Sequence, residues 1–162
     1  MGRTDRNVGR MAGETENERY RVTPWWRDVS MGSSMEISAV SSKSFDETVS
    51  AIERLTPEHG FRVLHTHDVQ ATLREKDFHL PPFTIIEICN AKYAHKLLTE
   101  HRSIGLMLPC KINVFVDDQK NVVVSGMRPT MIGELFPGID LGTIPQDVEV
   151  VLKSIIERAV RQ

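Results

Sequence analysis

The sequence predicts one soluble α+β domain, with a single mixed or antiparallel sheet and helices packed mainly on one face. From about residue 35 onward, segments of period 2 alternate with segments of period 3.6. Their order, β-α-β-(α)-β-α-β-β-α, combines crossovers with a tight hairpin. The chain has 162 residues, of which 40% are hydrophobic and 26% charged, enough for one ordinary core. We therefore expect a single domain over residues 35–162.

Residues 1–34 form a polar leader that is not predicted to fold independently. They carry six arginines and five acids, with no sustained apolar period. One interpretation is an upstream start assigned to a protein that begins near Met31 or Met35. The alternative is a docking arm anchored by Trp25 and Trp26, since tryptophan is enriched at binding hot spots.

The first strand and first helix follow directly. Apolar and polar residues alternate over 35–39, as in a strand covered on one face. Ser44 precedes Glu47 by three residues, which predicts a capping box, and Gly60 predicts the end of the helix. The apolar residues of this helix recur at helical spacing: Phe45, Val49, Ile52 and Leu55.

A second strand is predicted over 61–67, and a short polar helix over 69–76. If the strand is regular, alternation places four of its side chains on one face. These are Phe61, Val63, His65 and His67.

A third strand over 83–89 is rich in aromatic and β-branched residues. Asn90 is a good N-cap for the next helix, so Cys89 lies at a strand-to-helix junction. The residues of that helix predicted to point inward are Ala94, Leu97 and Leu98.

The segments 110–116 and 122–127 predict a hairpin, followed by a loop rich in proline and glycine. Apolar residues of that loop could cover a ligand cavity or a partner. Thr143 and Gln146 then predict a capping pair for a last helix. Its apolar stripe should pack on the sheet and comprises Val148, Val151, Leu152, Ile155 and Ile156.

Charge and motifs exclude several function classes. The formal net charge is -2, so the basic excess typical of nucleic-acid binding is missing. No apolar run is long enough for a membrane span, and no glycine-rich nucleotide motif occurs, so neither membrane, nucleic acid nor cofactor is predicted. Two cysteines without a Cys-x-x-Cys pair favour a reducing compartment, and we expect a cytoplasmic protein.

Four phrases of the chain match one known family. They are residues 60–64, 67–69, 87–91 and 104–112. Over about residues 35–161 the chain resembles the domain-of-unknown-function family 302. The resemblance implies a compact α+β domain of bacteria and archaea with no agreed activity. Ala91 and Lys111 depart from the family pattern, where proline and a small polar residue are usual.

Cys89 is the first candidate site residue. A thiol near a helix N-terminus is close to free N–H groups, which favour the thiolate and lower its pKa. Glu87, on the same strand face, would oppose this by repulsion. The alternative is a small buried residue that only fills the junction.

Cys110 shares its predicted strand face with apolar residues, which favours a packing role. A parallel crossover would leave Cys89 and Cys110 about 20 Å apart, at opposite ends of the sheet. An extended link over 104–108 could instead bring them together. A dithiol pair needs α-carbons within about 7 Å.

His65 and His67 have a spacing compatible with metal binding, but such a pair is more often a polar strand edge. We therefore predict no metal site and keep His67 as a candidate binding residue. His67 and Asp68 are adjacent on a strand and should point apart.

Together these residues favour a binding domain for a small ligand or a thiol compound, in sulfur or redox physiology. The site residues are Cys89, Asn90, His67 and Cys110. The alternatives are a cysteine-dependent enzyme with Cys89 as nucleophile, and an interaction module that forms a homodimer through an edge strand or docks through the leader.

Overall fold

The computed structural model describes residues 35–161, so the predictions for residues 1–34, including the Trp25 and Trp26 arm, concern a segment outside the described residues. The strands are β1 Glu36–Ser41, β2 Arg62–Asp68, β3 Phe83–Cys89, β4 Cys110–Val116 and β5 Val122–Met127. The helices are α1 Phe45–Glu58, α2 Val69–Arg74, α3 Ala91–Glu100, α4 Met131–Leu135 and α5 Ile144–Val160, with a 3-10 helix at Arg102–Met107.

The five strands form one sheet in the order β1-β5-β4-β3-β2. Every neighbouring pair is antiparallel, so the predicted mixed or antiparallel sheet is confirmed as antiparallel. The connection from β3 to β4 starts and finishes at one end of the sheet, because α3 leads out and the 3-10 helix packs back against it. Ile88, near the end of β3, is consequently paired with Cys110, the first residue of β4.

The core lies between one sheet face and the helices α1 and α5. The predicted stripe of α5 faces the sheet, with Leu152, Ile155 and Ile156 almost completely buried. Each such side chain contributes about 1.5–3 kcal/mol relative to an exposed one. Among the helices of residues 35–161, none combines the length and apolar character needed to cross a bilayer.

The helix ends follow local chemistry, with one exception. The capping box of α1 is confirmed, since Ser44 Oγ accepts from the Glu47 N–H and a Glu47 carboxylate oxygen accepts from the Ser44 N–H. Gly60 has φ +74° just beyond that helix, as a chain reversal there requires. The capping pair predicted for α5 is wrong, because the Thr143 hydroxyl hydrogen-bonds the Asp147 carboxylate at 3.0 Å and caps no N–H.

The second strand contains a β-bulge. The register shifts between Val63, which pairs with Ile88, and His65, which pairs with Glu87. One extra residue therefore rotates the remainder of the strand to the other face. The prediction of a shared face is wrong, because two side chains lie on the helix side and two on the opposite side: Phe61 and Val63, then His65 and His67.

Helix α3 buries a narrower stripe than predicted. Leu97 is buried and Ala94 half-buried, but Leu98, predicted to point inward, is 36% exposed. Helix α3 packs mainly against the following 3-10 helix, so only a narrow part of its surface is covered.

Candidate functional site

Asn90 closes the junction between β3 and α3. Its side-chain oxygen accepts from the N–H groups of Lys92 and Tyr93 at 3.0 and 3.2 Å, which confirms the predicted N-cap. Its amide nitrogen donates to the Gly60 carbonyl at 3.1 Å and ties the junction to the start of β2. Asn90 thus uses N–H groups that were expected to stabilise a Cys89 thiolate.

Cys89 is a half-buried free thiol immediately before this cap. Burial raises the pKa of the Cys89 thiol above its ordinary value. The lowering of the pKa that a helix N-terminus could cause is not found, because the loss of hydration disfavours the thiolate and Asn90 occupies the nearby donors. Cys89 is therefore a neutral thiol near neutral pH.

Cys110 lies on the sheet face covered by the helices, together with the buried Ile112 and Val114. Burial raises the pKa of its thiol to about 11; Cys89 adds to the rise and the charge of Lys111 opposes it. Cys110 is therefore also protonated under ordinary conditions.

The antiparallel register brings the two cysteines together. Cys89 directly follows Ile88, the cross-strand partner of Cys110. With strands about 5 Å apart and a rise of about 3.4 Å per residue, their α-carbons are about 6 Å apart. This estimate meets the α-carbon criterion for a dithiol pair, although strand alternation directs the Cys89 and Cys110 side chains to opposite faces of the sheet. The alternative of a parallel crossover with a wide separation is wrong. The return runs through a 3-10 helix rather than an extended link.

Both thiols line one small cavity, which we call the dithiol cavity. Its volume is about 30 Å³, and its wall includes Phe61, Tyr93 and Leu97 beside Cys89 and Cys110. The rings of Phe61 and Tyr93 lie with centroids 6.5 Å apart and close one side. Such a space holds about two water molecules, and its wall is almost wholly apolar.

A second space of about 150 Å³ adjoins the first, and we call it the sulfur hollow. It is lined by Met107, Cys110 and Met127, with Lys111 among its other wall residues. Cys110 belongs to both walls, and so do Pro129 and Ile132 of the segment after β5. Sequence reasoning did not single out Met107, because nothing in the family phrase over 104–112 shows that this side chain meets a cysteine.

The predicted histidine pair lies elsewhere. The rings of His65 and His67 meet edge to face with centroids 4.2 Å apart, and His67 Nε2 lies 3.4 Å from a Glu87 carboxylate oxygen. Neither histidine lines the dithiol cavity or the sulfur hollow. Over the described residues, no group of three or more His, Cys, Asp or Glu side chains could hold a metal ion. Asp68 caps α2 through the Ala71 N–H, so it acts independently of His67.

One polar pair escaped sequence analysis. His59 Nε2 lies 2.9 Å from Ser154 Oγ, and His59 Nδ1 lies 3.0 Å from the Leu55 carbonyl oxygen. The arrangement resembles a catalytic triad, with Ser154 as nucleophile, His59 as base and the Leu55 carbonyl as the group that orients the base. Ser154, however, lies within α5, where the neighbouring N–H groups are used by the helix and cannot stabilise an oxyanion. We interpret the pair as a tie between α1 and α5.

Comparison with known proteins identifies relatives of the fold. The family model described as "Domain of unknown function DUF302" matches residues 37–159. The crystal structure of an uncharacterized conserved DUF302 protein from Bacillus stearothermophilus is similar, with a TM-score of 0.72 and 28% sequence identity. The match covers 77% of this chain and 98% of that one. A search of curated proteins found no match.

Proposed function

The chain belongs to the DUF302 family, and within that family we propose that it is a thiol-handling binding domain that holds a small ligand between Cys89 and Cys110. Family membership brings no established activity with it. The observation that carries the proposal is that both free thiols line the same apolar cavity. The proposal includes a cytoplasmic location, since a reducing compartment keeps a neighbouring pair of thiols unoxidised.

The wall chemistry favours binding over nucleophilic catalysis. The thiolate is the nucleophilic form, and burial raises the pKa of both thiols. A cysteine enzyme also needs a base within reach of its nucleophile. Among the described residues that line the dithiol cavity there is no histidine, aspartate or glutamate. A ligand that bonds to sulfur or packs on apolar walls suits this site better than a substrate to be attacked.

The alternative of a homodimer now has defined edges, β1 and β2. The bulge of β2 opposes further pairing, because it interrupts the ladder. Strand β1 carries Val40, whose exposure of 61% favours this edge for a second copy.

Arsenite tests the proposal, because neutral As(OH)₃ forms two S–As bonds with a close pair of thiols and releases two waters. We expect native mass spectrometry of the reduced protein to show one arsenic per chain. Cys89→Ser and Cys110→Ser should each abolish the adduct, while melting curves confirm that both variants fold. The same spectra report the oligomeric state.

A retained adduct in either serine variant would show that the thiols act separately and would overturn the proposal. Absence of the adduct in the folded wild-type protein would overturn it as well.

A further inference from the structure

We propose that the sulfur hollow binds a soft monovalent cation, Cu(I), through the sulfur atoms of Met107, Cys110 and Met127. The inference rests on the proposed function, because Cys110 is the thiol that the hollow shares with the dithiol cavity. As the bond from Cys110 Sγ to the metal forms, the thiol proton passes to solvent.

Sulfur is concentrated at this end of the sheet. The sulfur-containing residues between 35 and 161 are Met35, Cys89, Met107, Cys110, Met127 and Met131. Four of these six line the dithiol cavity or the sulfur hollow, and Cys110 lines both. The four side chains come from β3, the 3-10 helix, β4 and β5, so the fold gathers sulfur atoms that are separated along the chain.

The register places Met127, the last residue of β5, and Cys110, the first residue of β4, at the same end of the sheet on neighbouring strands. Ile112 pairs with Gly126, so Met127 lies across from Lys111, one residue from Cys110. Met107 reaches the same space from the end of the 3-10 helix. The long unbranched methionine side chain can adjust its sulfur position to a metal ion.

The donor set selects the metal class. Thiolate and thioether ligands are soft and favour Cu(I), whereas Mg²⁺ and Ca²⁺ need oxygen ligands. Structural zinc sites use cysteine and histidine in sets of four. Among the described residues lining the two spaces there is no carboxylate or imidazole. A site made of thioethers and thiols therefore fits Cu(I) better than Zn²⁺.

Charge also favours a monovalent ion. One Cu(I) and the Cys110 thiolate form a neutral pair, which suits walls that are mainly apolar. A divalent ion with that thiolate would leave a net positive charge in a poorly hydrated place, where it is costly. Lys111 at the same hollow would raise this cost by repulsion.

The test is an anaerobic titration of the reduced full-length protein with Cu(I), in competition with the chelator bicinchoninate. We expect one Cu(I) per chain and no displacement by excess Zn²⁺. The double variant Met107→Leu/Met127→Leu conserves side-chain volume and should weaken Cu(I) binding at least tenfold. Cys110→Ala should abolish it, and Met131→Leu is the matched control that should bind like the wild type.

Equal Cu(I) affinity in the double variant and the wild type would overturn the inference, as would displacement by Zn²⁺. Arsenite distinguishes the two proposals. The double methionine variant keeps both thiols, so it should still bind arsenite even when it has lost Cu(I) binding. If arsenite binds and Cu(I) does not, the thiol site stands and the metal assignment falls. If neither binds, both proposals fall.

Discussion

Asn90 links two backbone segments that meet at the dithiol cavity. Its side chain holds the first turn of α3 and also the Gly60 carbonyl before β2. It is one of the residues that line the cavity, so its hydrogen bonds set the position of the wall next to Cys89. A single polar side chain therefore acts on both stability and the site.

Asn90→Ala should lower the free energy of unfolding by about 1–2 kcal/mol, because it removes a helix cap. Asn90→Asp is the matched control, since its carboxylate still caps α3 while the donor to Gly60 is lost. Urea unfolding should rank the wild type first, Asp second and Ala last. An alanine variant as stable as the wild type would show that the cap is dispensable.

For single residues, the sequence could predict an interaction only when the two partners are close along the chain. The caps at Ser44 and Asn90 involve partners within three residues, so the sequence alone located them. The Thr143 cap failed because a carboxylate four residues away competes for its hydroxyl. The direction of the Cys89 pKa shift could not be predicted, because the residues that bury this thiol are remote in sequence.

Helix α5 packs closely against β5 at Gly126. A Cβ atom added to Gly126 would lie 3.3 Å from Leu152 Cδ2 and 3.3 Å from the Lys111 carbonyl oxygen. The leucine can adjust by a small rotation, but the carbonyl is part of the β4 backbone. A methyl group here therefore requires Leu152 and the β4 backbone to shift by a few tenths of an ångström.

Gly126→Ala should therefore destabilise the fold by about 1–3 kcal/mol, the usual range for overpacking. Gly133→Ala in α4 is the comparison, because nothing lies within 4 Å of its added Cβ. Alanine favours helix, so this change should be neutral or stabilising by up to about 1 kcal/mol. Similar losses in both variants, measured by chemical unfolding, would contradict the close approach at Gly126.

Element identity was predictable because it follows from short-range periodicity, whereas register was not. The bulge of β2 depends on how this strand meets β3, and the alternation of its own residues carries no sign of it. The same applies to α4, which lies in a segment predicted as a loop from its prolines and glycines.

The first strand and the last helix of residues 35–161 pack against each other. Strand β1 pairs with β5 at one edge of the sheet, and α5 packs against β1 as well as α1. The related Bacillus stearothermophilus structure aligns over 98% of its length with 77% of this chain.

Deletion of residues 1–30 should leave the melting temperature and the oligomeric state unchanged. The physical reason is that the strands and helices of residues 35–161 form a core cluster with one another. Differential scanning calorimetry and light scattering would check both quantities. A lower melting temperature or a changed mass would instead indicate a docking role for the Trp25 and Trp26 segment.

Fold class was accessible from the sequence because hydrophobic patterning and segment order constrain it. The site was only partly accessible: Cys89 and Cys110 stood out as residues, but their proximity depends on the direction of β4. Composition does not distinguish a chain that crosses the sheet from one that turns back at the same end. The sulfur hollow needed the same information, since Met107, Cys110 and Met127 line one space only because of that topology.

The direction of α5 has a practical consequence for attaching labels. The helix starts at Ile144 in the wall of the dithiol cavity and ends at Val160, whose carbonyl accepts from the Ser42 N–H at the far end of the sheet. At a rise of about 1.5 Å per residue, it spans about 25 Å. An affinity tag or a surface linkage placed after Arg161 would leave the sulfur-rich end open to solution. A fusion joined directly before Glu36 would begin beside Met127 and obstruct that end.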